Sequence, residues 1–317
     1  MENLFRDFLS KFELPSVPDV DWRAGTEKLR QQFLTATHQF ERDAPELADI
    51  RDFKIDGPAG PLNARLYVPM AAGAEPGPGI IFFHGGGFVL GDLDSHHMLC
   101  IRLADASRCR VLAVEYRLAP ENKFPAAHDD AWAAWIHVHN HADIYGLDPE
   151  KLTISGDSAG GNLSAYISQE AIRTATTPPI FQLLLYPLVQ FVDIRSKKMS
   201  IQESGFFISP KLFDFFRDSY VENENDRMDI RVSPLFAPDD TFKRLPPAHI
   251  VLCGWDPLRD EGSAYAAKMA SFGIPVTVRE HEEMVHGFMH LSALSNTVKD
   301  AIRDAGETVA RAVNALD

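Results

Sequence analysis

The chain alternates between short strand-forming runs and longer stretches with helical periodicity. The strand-forming runs of its central part lie at residues 80–83, 111–115, 152–155, 182–186, 249–253 and 276–280. Helical patterns lie between or after them, at residues 97–107, 127–141, 159–173, 261–272 and 291–315. Strands that alternate with helices form mostly parallel sheets with helices on both faces. The pattern therefore predicts an α/β fold.

Two parts of the chain depart from this alternation. Residues 1–14 and 26–42 have helical periodicity, and a predicted hairpin of strands at 52–56 and 62–68 follows them. Residues 1–14 could anchor the protein on a membrane surface or dock on the protein itself, and their mixed charge favours docking. Residues 188–245 contain a helical run rich in phenylalanine. We expect this segment to be an insertion that folds over the sheet.

One of the strands ends in a turn suited to a reactive side chain. The strand-forming residues 152–155 are followed by Gly-Asp-Ser-Ala-Gly at residues 156–160 and then by a helical pattern. Glycines two positions before and two positions after Ser158 allow the strand to pass close to the helix. A strand–turn–helix of this kind exposes the hydroxyl at its tip. Ser158 is therefore the candidate nucleophile, and we expect Asp157 to brace the turn.

A serine hydroxyl becomes a useful nucleophile only beside a histidine, which in turn needs a carboxylate. Asp256 follows the strand at residues 249–253, and His286 follows the strand at 276–280. Because the carboxyl ends of parallel strands share one edge of the sheet, both side chains should meet Ser158 there. The order of serine, aspartate and histidine is the one found in the α/β-hydrolase fold. Nearby Asp260 and Glu261 are expected to begin the next helix.

A glycine-rich segment could bind the negative oxygen of a tetrahedral intermediate. Gly85, Gly86 and Gly87 follow the strand at residues 80–83. Backbone amides of consecutive glycines can approach a ligand closely because no side chain obstructs them. Together with the amide of Ala159, these glycines are the candidate oxyanion hole, and the sequence does not decide which two of them donate.

Composition excludes some partners. The 317 residues carry a formal net charge of -14, which repels phosphate backbones, so we expect no nucleic-acid partner. No apolar run is long enough to span a bilayer.

Cys100, Cys109 and Cys253 are an odd number without close spacing, which indicates buried thiols rather than a disulfide framework. With no recognisable signal segment, the chain is predicted to be cytoplasmic. The oligomeric state is left open, with a homodimer as one option.

Six stretches together resemble the hormone-sensitive lipase-like (bacterial type IV) carboxylesterases of the α/β-hydrolase fold. They are HGGGF at 84–88, YRLAPE at 116–121, FPAAHDD at 124–130, GDSAGGN at 156–162, DPLRDEG at 256–262 and HGF at 286–288. The resemblance implies hydrolysis of esters without a cofactor. It also implies a cap over the site, which divides the chain into four parts. These are residues 1–50 (first part of the cap), 51–187 (first part of the core), 188–245 (cap insertion) and 246–317 (second part of the core).

The expected activity is hydrolysis of short-chain, apolar esters through an acyl-serine intermediate. The side chains expected in the substrate pocket are Phe88, Phe206, Phe207 and Phe213. His137 and His141 have the spacing of metal ligands, but they lack an acidic or cysteine partner nearby, so no metal is expected. A non-catalytic ligand-binding relative would be expected to lack a triad residue, and this chain has all three. An amidase or a lactonase using the same residues stays open.

Overall fold

Eight strands form one sheet in the computed structural model, which describes residues 22–41, 43–192 and 210–315. The strands are β1 (Leu47–Ile55), β2 (Leu62–Pro69), β3 (Gly77–Phe83), β4 (Arg110–Glu115), β5 (Leu147–Asp157), β6 (Phe181–Leu185), β7 (Ala248–Trp255) and β8 (Val276–Val285). Their order across the sheet is β1-β2-β4-β3-β5-β6-β7-β8. β2 runs antiparallel to both of its neighbours, and the strands from β4 to β8 pair in parallel. The mostly parallel α/β sheet expected from the sequence is confirmed.

Helices cover both faces of this sheet. In the described part of the chain they are α1 (Trp22–Phe40), α2 (His97–Ser107), α3 (Ala126–Asn140), α4 (Ala159–Arg173), α5 (Pro210–Tyr220), α6 (Asp239–Phe242), α7 (Arg259–Ser271) and α8 (Asn296–Asn314). Short 3-10 helices lie at Ala142–Tyr145, Glu224–Met228, Pro234–Phe236 and Phe288–His290. One core cluster joins the sheet to α2 and α8, and the other two join it to α3, α4 and α7.

The unbroken apolar sequence of β3 follows from burial on both faces. Ile80 and Phe82 belong to the core under α2 and α8, whereas Ile81 and Phe83 belong to the core under α3 and α4. Successive side chains of a strand point to opposite faces, so each residue of a central strand meets an apolar layer. This rigid centre holds the carboxyl ends of β3 and β5 next to one another.

Several elements have other boundaries than the sequence predicts. β1 and β5 begin five residues earlier than expected, at Leu47 and Leu147, and two further differences lie close to His286. β8 continues to Val285, five residues beyond the expected end at residue 280, so His286 follows the strand directly. The closing helix begins at Asn296 and not at residue 291, because residues 288–290 form a 3-10 helix. The Ser295 hydroxyl accepts a hydrogen bond from the amide of Thr297 (3.1 Å), which caps the start of α8.

Parts of the expected cap lie outside the described residues. The helix expected at residues 1–14 is one of them, as are Phe206 and Phe207. No helix within the described ranges is long and apolar enough to cross a membrane. All three cysteines are buried and free of disulfides, as expected, and burial raises the pKa of the Cys109 thiol to about 11.

Candidate active site

The backbone at Ser158 has the strained geometry expected of a nucleophile at a sharp strand–helix turn. Its φ of 53° and ψ of -113° place it where residues other than glycine are seldom found. The Ser158 amide donates to the Leu185 carbonyl of the neighbouring strand (2.9 Å), which fixes the turn. A Cβ atom on Gly160 would lie 2.6 Å from the carbonyl carbon of Phe83, so the strand–helix approach requires glycine there. The backbone of Leu185 and the backbone of Phe83, which contact the turn, hold it in this strained conformation.

Ser158, His286 and Asp256 form one hydrogen-bonded chain. Nε2 of His286 lies 2.9 Å from the Ser158 hydroxyl, and Nδ1 lies 2.8 Å from Oδ2 of Asp256. The other Asp256 oxygen, Oδ1, accepts from the amide of Leu258 (2.8 Å). All three side chains are buried, with relative exposures of 9%, 6% and 3% for Ser158, His286 and Asp256. A histidine held in this way can take the serine proton and share its charge with the aspartate.

The structure also distinguishes Asp256, the expected acid, from the nearby carboxyl groups of Asp260 and Glu261. Asp260 is exposed and pairs with Arg259 (2.9 Å) in the first turn of α7. Glu261 is buried, where it accepts from the amide of Val189 (2.7 Å) and from the Gln190 side chain (3.1 Å). Burial raises the pKa of Glu261 well above its ordinary value. Both residues lie in the first turn of α7, as expected.

The three glycines of the candidate oxyanion hole have different environments. The Gly85 amide donates to Oδ1 of Asp157 (2.8 Å) and is therefore already engaged. Gly86 and Gly87 have positive φ values of 106° and 63°, which favour glycine. Both line the cavity that contains Ser158, and neither amide has an acceptor among the described residues. Among the three glycines, this geometry leaves Gly86 and Gly87 as the better-placed donors.

Asp157 is enclosed by a buried polar cluster that the sequence reasoning missed. His96 Nε2 lies 3.2 Å from Oδ1 of Asp157, and His290 Nε2 lies 3.6 Å from its Oδ2. His290 Nδ1 in turn lies 2.9 Å from Glu41. Burial opposes ionisation of Asp157, but His96 and His290 hold its pKa well below the ordinary value. Asp157 therefore belongs to a buried charged cluster that also contacts the Gly85 amide, and its expected role in bracing the turn stays a prediction.

A cavity of about 440 Å³ opens above the triad. Apolar side chains from α5 and from the loops line this cavity together with both polar and apolar side chains of α1. The α1 residues are Lys28, Leu29, Gln31, Gln32, Phe33, Thr35, Ala36 and Gln39. Phe213 is among the lining residues, and Phe88 is not. Phe88 is fully buried and stacks on Tyr220 of α5, with ring centroids 4.1 Å apart.

Two groups of side chains have some of the features of metal ligands. His137 and His141 lie side by side on α3, but Nε2 of His137 bonds the Tyr145 hydroxyl (3.0 Å) and Nδ1 of His141 bonds the carbonyl of His137 (2.9 Å). Among the described residues, only His96, Asp157 and His290 bring three ligand atoms within 4.8 Å of one another. Their existing contacts already satisfy most of these atoms.

This sheet, with a serine at the turn after β5 and its acid and base after β7 and β8, defines the α/β-hydrolase class of proteins. Comparison with known sequences agrees, since the profile of the alpha/beta hydrolase fold family matches residues 80–290. The chain belongs to this family, and its resemblance to the hormone-sensitive lipase-like carboxylesterases is confirmed.

Curated relatives and solved structures include several esterases. Carboxylic ester hydrolase LipN of Mycobacterium tuberculosis is 41% identical over 252 residues, which cover 78% of this chain and 66% of LipN, slightly less than two thirds of its length. Esterase LipI of the same organism is 37% identical over 269 residues, covering 84% of this chain and 82% of LipI. An esterase of Pyrobaculum calidifontis superposes with a TM-score of 0.90 at 31% identity, covering 98% of both chains.

Proposed function

We propose that this protein is a carboxylesterase that hydrolyses short-chain, apolar esters through an acyl-serine intermediate. The observation that carries the proposal is the continuous hydrogen-bonded chain from the Ser158 hydroxyl through His286 to Asp256, with contacts of 2.9 and 2.8 Å. The relatives named as ester hydrolases and the fold they share with this chain support the same activity.

The acylation step follows from the arrangement of these groups. The Ser158 oxygen attacks the ester carbonyl while Nε2 of His286 accepts the hydroxyl proton. The carbonyl oxygen becomes negatively charged and is stabilised by the amides of Gly86, Gly87 and Ala159. The tetrahedral intermediate then collapses, the bond to the alcohol breaks, and His286 returns the proton to the leaving alkoxide. Asp256 holds the imidazole in the required tautomer and stabilises its charged form.

Deacylation repeats these steps with water as the nucleophile. His286 takes a proton from the water molecule, the resulting hydroxide attacks the acyl carbonyl, and the same amides bind the oxyanion. The intermediate then collapses, the bond between the acyl carbon and the Ser158 oxygen breaks, and His286 returns the proton to that oxygen, so the carboxylic acid leaves and the Ser158 hydroxyl is restored. This sequence needs no cofactor, because each proton is moved by His286 and each negative charge is met by backbone amides.

The preference for short acyl chains is proposed from the cavity. A volume of about 440 Å³ is shared between the acyl and alcohol parts of the substrate. Phe213, Phe216 and Leu212 bring apolar surface from α5 to this cavity. Each buried methylene gains about 0.8 kcal/mol, so kcat/KM should rise with acyl length until the space is filled and then fall.

A Ser158→Ala variant tests the function directly. We expect the loss of several powers of ten in kcat for p-nitrophenyl butyrate, because the nucleophile is removed. Ser168→Ala is the matched control, since Ser168 is a buried serine on α4 whose hydroxyl donates to the Ser164 carbonyl (2.9 Å). Retention of more than a few per cent of activity by Ser158→Ala would remove this residue from the role. Esters, amides and lactones of equal acyl length, assayed side by side, separate an esterase from an amidase or a lactonase.

A cytoplasmic location and a homodimer are also proposed. The three buried, unpaired cysteines support a reducing compartment. Fractionation of cells that express the native protein tests the location, and light scattering of the purified protein tests the oligomeric state.

A further inference from the structure

The residue that follows α1 reaches the interior of the protein beside the serine turn. Glu41 comes directly after Phe40, the last residue of α1, and its side chain is 1% exposed. Its Oε1 lies 2.9 Å from Nδ1 of His290. A buried carboxylate is costly unless a partner compensates its charge. Glu41 therefore depends on His290, and the two residues join α1 to the loop that follows His286.

His290 extends this connection to the oxyanion loop. Its Nε2 lies 3.6 Å from Oδ2 of Asp157, the residue that precedes the candidate nucleophile. The opposite oxygen of Asp157 accepts the hydrogen bond from the Gly85 amide (2.8 Å). Gly85 is the first of the three glycines whose later amides face the cavity. Glu41, His290 and Asp157 thus form a continuous path from α1 to the start of the oxyanion loop.

The charges along this path alternate. Burial alone would lower the pKa of His290, but the neighbouring carboxyl groups of Asp157 and Glu41 raise it to about 10. At neutral pH an imidazolium then lies between two carboxylates, so each neighbour in the path attracts the next. Phe33 of α1 packs against the rings of both His96 and His290, with centroids 6.0 Å away in each case, and adds an apolar cover.

The other end of the oxyanion loop is held by the same helix. The Arg30 side chain donates to the carbonyl of Val89 (2.8 Å) and to the carbonyl of Ala119 (2.9 Å). Arg30 is itself fixed by Glu121 (2.7 Å). α1 therefore holds the segment from Gly85 to Val89 at both ends, by an arginine at one end and by the buried charges at the other.

We propose that Glu41 and His290 are positioning residues that hold the oxyanion loop in its reactive geometry through Asp157. The proposal rests on the esterase function proposed above and concerns the same site. Neither residue acts on the reacting atoms. Their effect is to fix the Asp157 carboxylate, and through it the Gly85 amide, so that the amides of Gly86 and Gly87 face the developing negative charge. Oxyanion donors stabilise the transition state only when they are held at the correct distance.

The test compares Glu41→Gln and His290→Gln with a control of similar burial. His249→Gln is suitable, because His249 is a buried histidine on β7 with one side-chain partner, Thr277 (2.7 Å). For each purified full-length variant we would measure kcat and KM for p-nitrophenyl butyrate. We would also measure the inhibition constant of an alkylboronic acid, which forms a tetrahedral adduct with the serine. Thermal unfolding of each variant reports stability.

We expect kcat to fall by about 10-fold in both variants with KM changed less than about twofold, since a small displacement of catalytic groups costs up to about 10²-fold. The boronic acid should bind more weakly by a similar factor, and the control should keep wild-type kcat. Unchanged kcat and boronate affinity, together with a lower thermal midpoint, would overturn the proposal and leave a purely structural ion pair. If His290→Gln does not fold, Glu41→Gln carries the test, because it keeps the size of the side chain.

Two further outcomes are distinguished by the same proteins. Elemental analysis compares the metal content of the wild-type protein and of His290→Gln. One equivalent of a metal ion in the wild type and none in the variant would overturn the proposal in favour of a metal site at His96, Asp157 and His290. If the wild type hydrolyses esters and Ser158→Ala does not, while Glu41→Gln behaves as wild type, the positioning role alone fails. If the wild-type protein hydrolyses no ester, the proposed function fails.

Discussion

A methyl group added at Gly160 should disable the site without touching any reactive side chain. In Gly160→Ala the new Cβ would lie 2.6 Å from the carbonyl carbon of Phe83 and 2.8 Å from the carbonyl oxygen of His84. The atom nearest to the new Cβ is the carbonyl oxygen of Phe83. Ordinary contacts of Cβ atoms begin at 3.4 Å, so the Phe83 carbonyl carbon must move by at least 0.8 Å, the difference between 3.4 and 2.6 Å, and the oxygen by more. Phe83 and His84 lead directly into Gly85, so the shift separates the nucleophile from the oxyanion donors.

The size of the effect follows from that displacement. A misplacement of about 1 Å in an active site can cost about 10²-fold in rate, so kcat/KM of Gly160→Ala should fall by about that factor. Overpacking typically costs about 1–3 kcal/mol, which lowers the thermal midpoint of a protein of this size by roughly 1.5–4.5 °C. Hydrolysis of p-nitrophenyl butyrate and thermal unfolding by circular dichroism measure the two effects.

Gly73→Ala provides the matched control. It adds the same methyl group where no atom lies within 4 Å of the new Cβ, so rate and thermal midpoint should stay near wild type. If Gly160→Ala kept its rate within twofold and its thermal midpoint, the strand and the helix would not need this close approach, and the packing argument for the turn would be refuted.

Three more predictions concern the acid, the buried charges and the cavity. Asp256→Asn should lower kcat by about 10⁴-fold, because His286 loses the partner that sets its tautomer, and a larger loss in Asp260→Asn would show that the acid is misassigned. The raised pKa of His290 adds stability that is complete below pH 6.5 and is lost as pH rises through about 10. The unfolding free energy of wild type should therefore fall over that range relative to His290→Gln, and parallel curves from chemical denaturation would contradict this. Phe213→Ala should shift the acyl length with the highest kcat/KM to longer chains. Phe215→Ala should not shift it, because Phe215 is buried on α5 but does not line the cavity.

The sequence predicts best what depends on short segments. The strand and glycine pattern around Ser158 carries its own turn geometry, and the carboxyl ends of β7 and β8 bring Asp256 and His286 to it once the strands are parallel. That prediction needs only the succession of strands along the chain, and the hydrophobic periodicity of the sequence supplies that succession. For this reason the sequence alone is sufficient to predict the three residues of the triad.

The buried charges around Asp157 could not be found in the same way. Glu41 and His290 meet although they are 249 residues apart, and neither belongs to a pattern that marks a buried ion pair. A glutamate after a helix usually faces solvent. The only local hint is the pair of histidines four residues apart in the segment that begins at His286. Long-range pairs between single polar residues leave no periodic signal, so the structure alone reveals them.

The unexpected length of β8 has a different cause. The charged residues between Val278 and Met284 interrupt the apolar pattern that marks a central strand. β8 lies at the edge of the sheet beside β7 alone, so much of it is exposed and tolerates these charges. Its backbone still pairs with β7 as far as Trp255 and Val285, across an irregularity. Pairing with a neighbour, rather than apolar content, decides where this strand ends.

The separation of Ser158 from His286 by 128 residues makes enzymatic activity a late event in folding. The two side chains meet only after β5 to β8 have paired and the segments between them have packed. Contacts between residues so distant in the chain form slowly, because a long loop must close before they contribute. During refolding, helical circular dichroism should recover well before ester hydrolysis, and the delay between the two signals would time the closure of the sheet from β5 to β8.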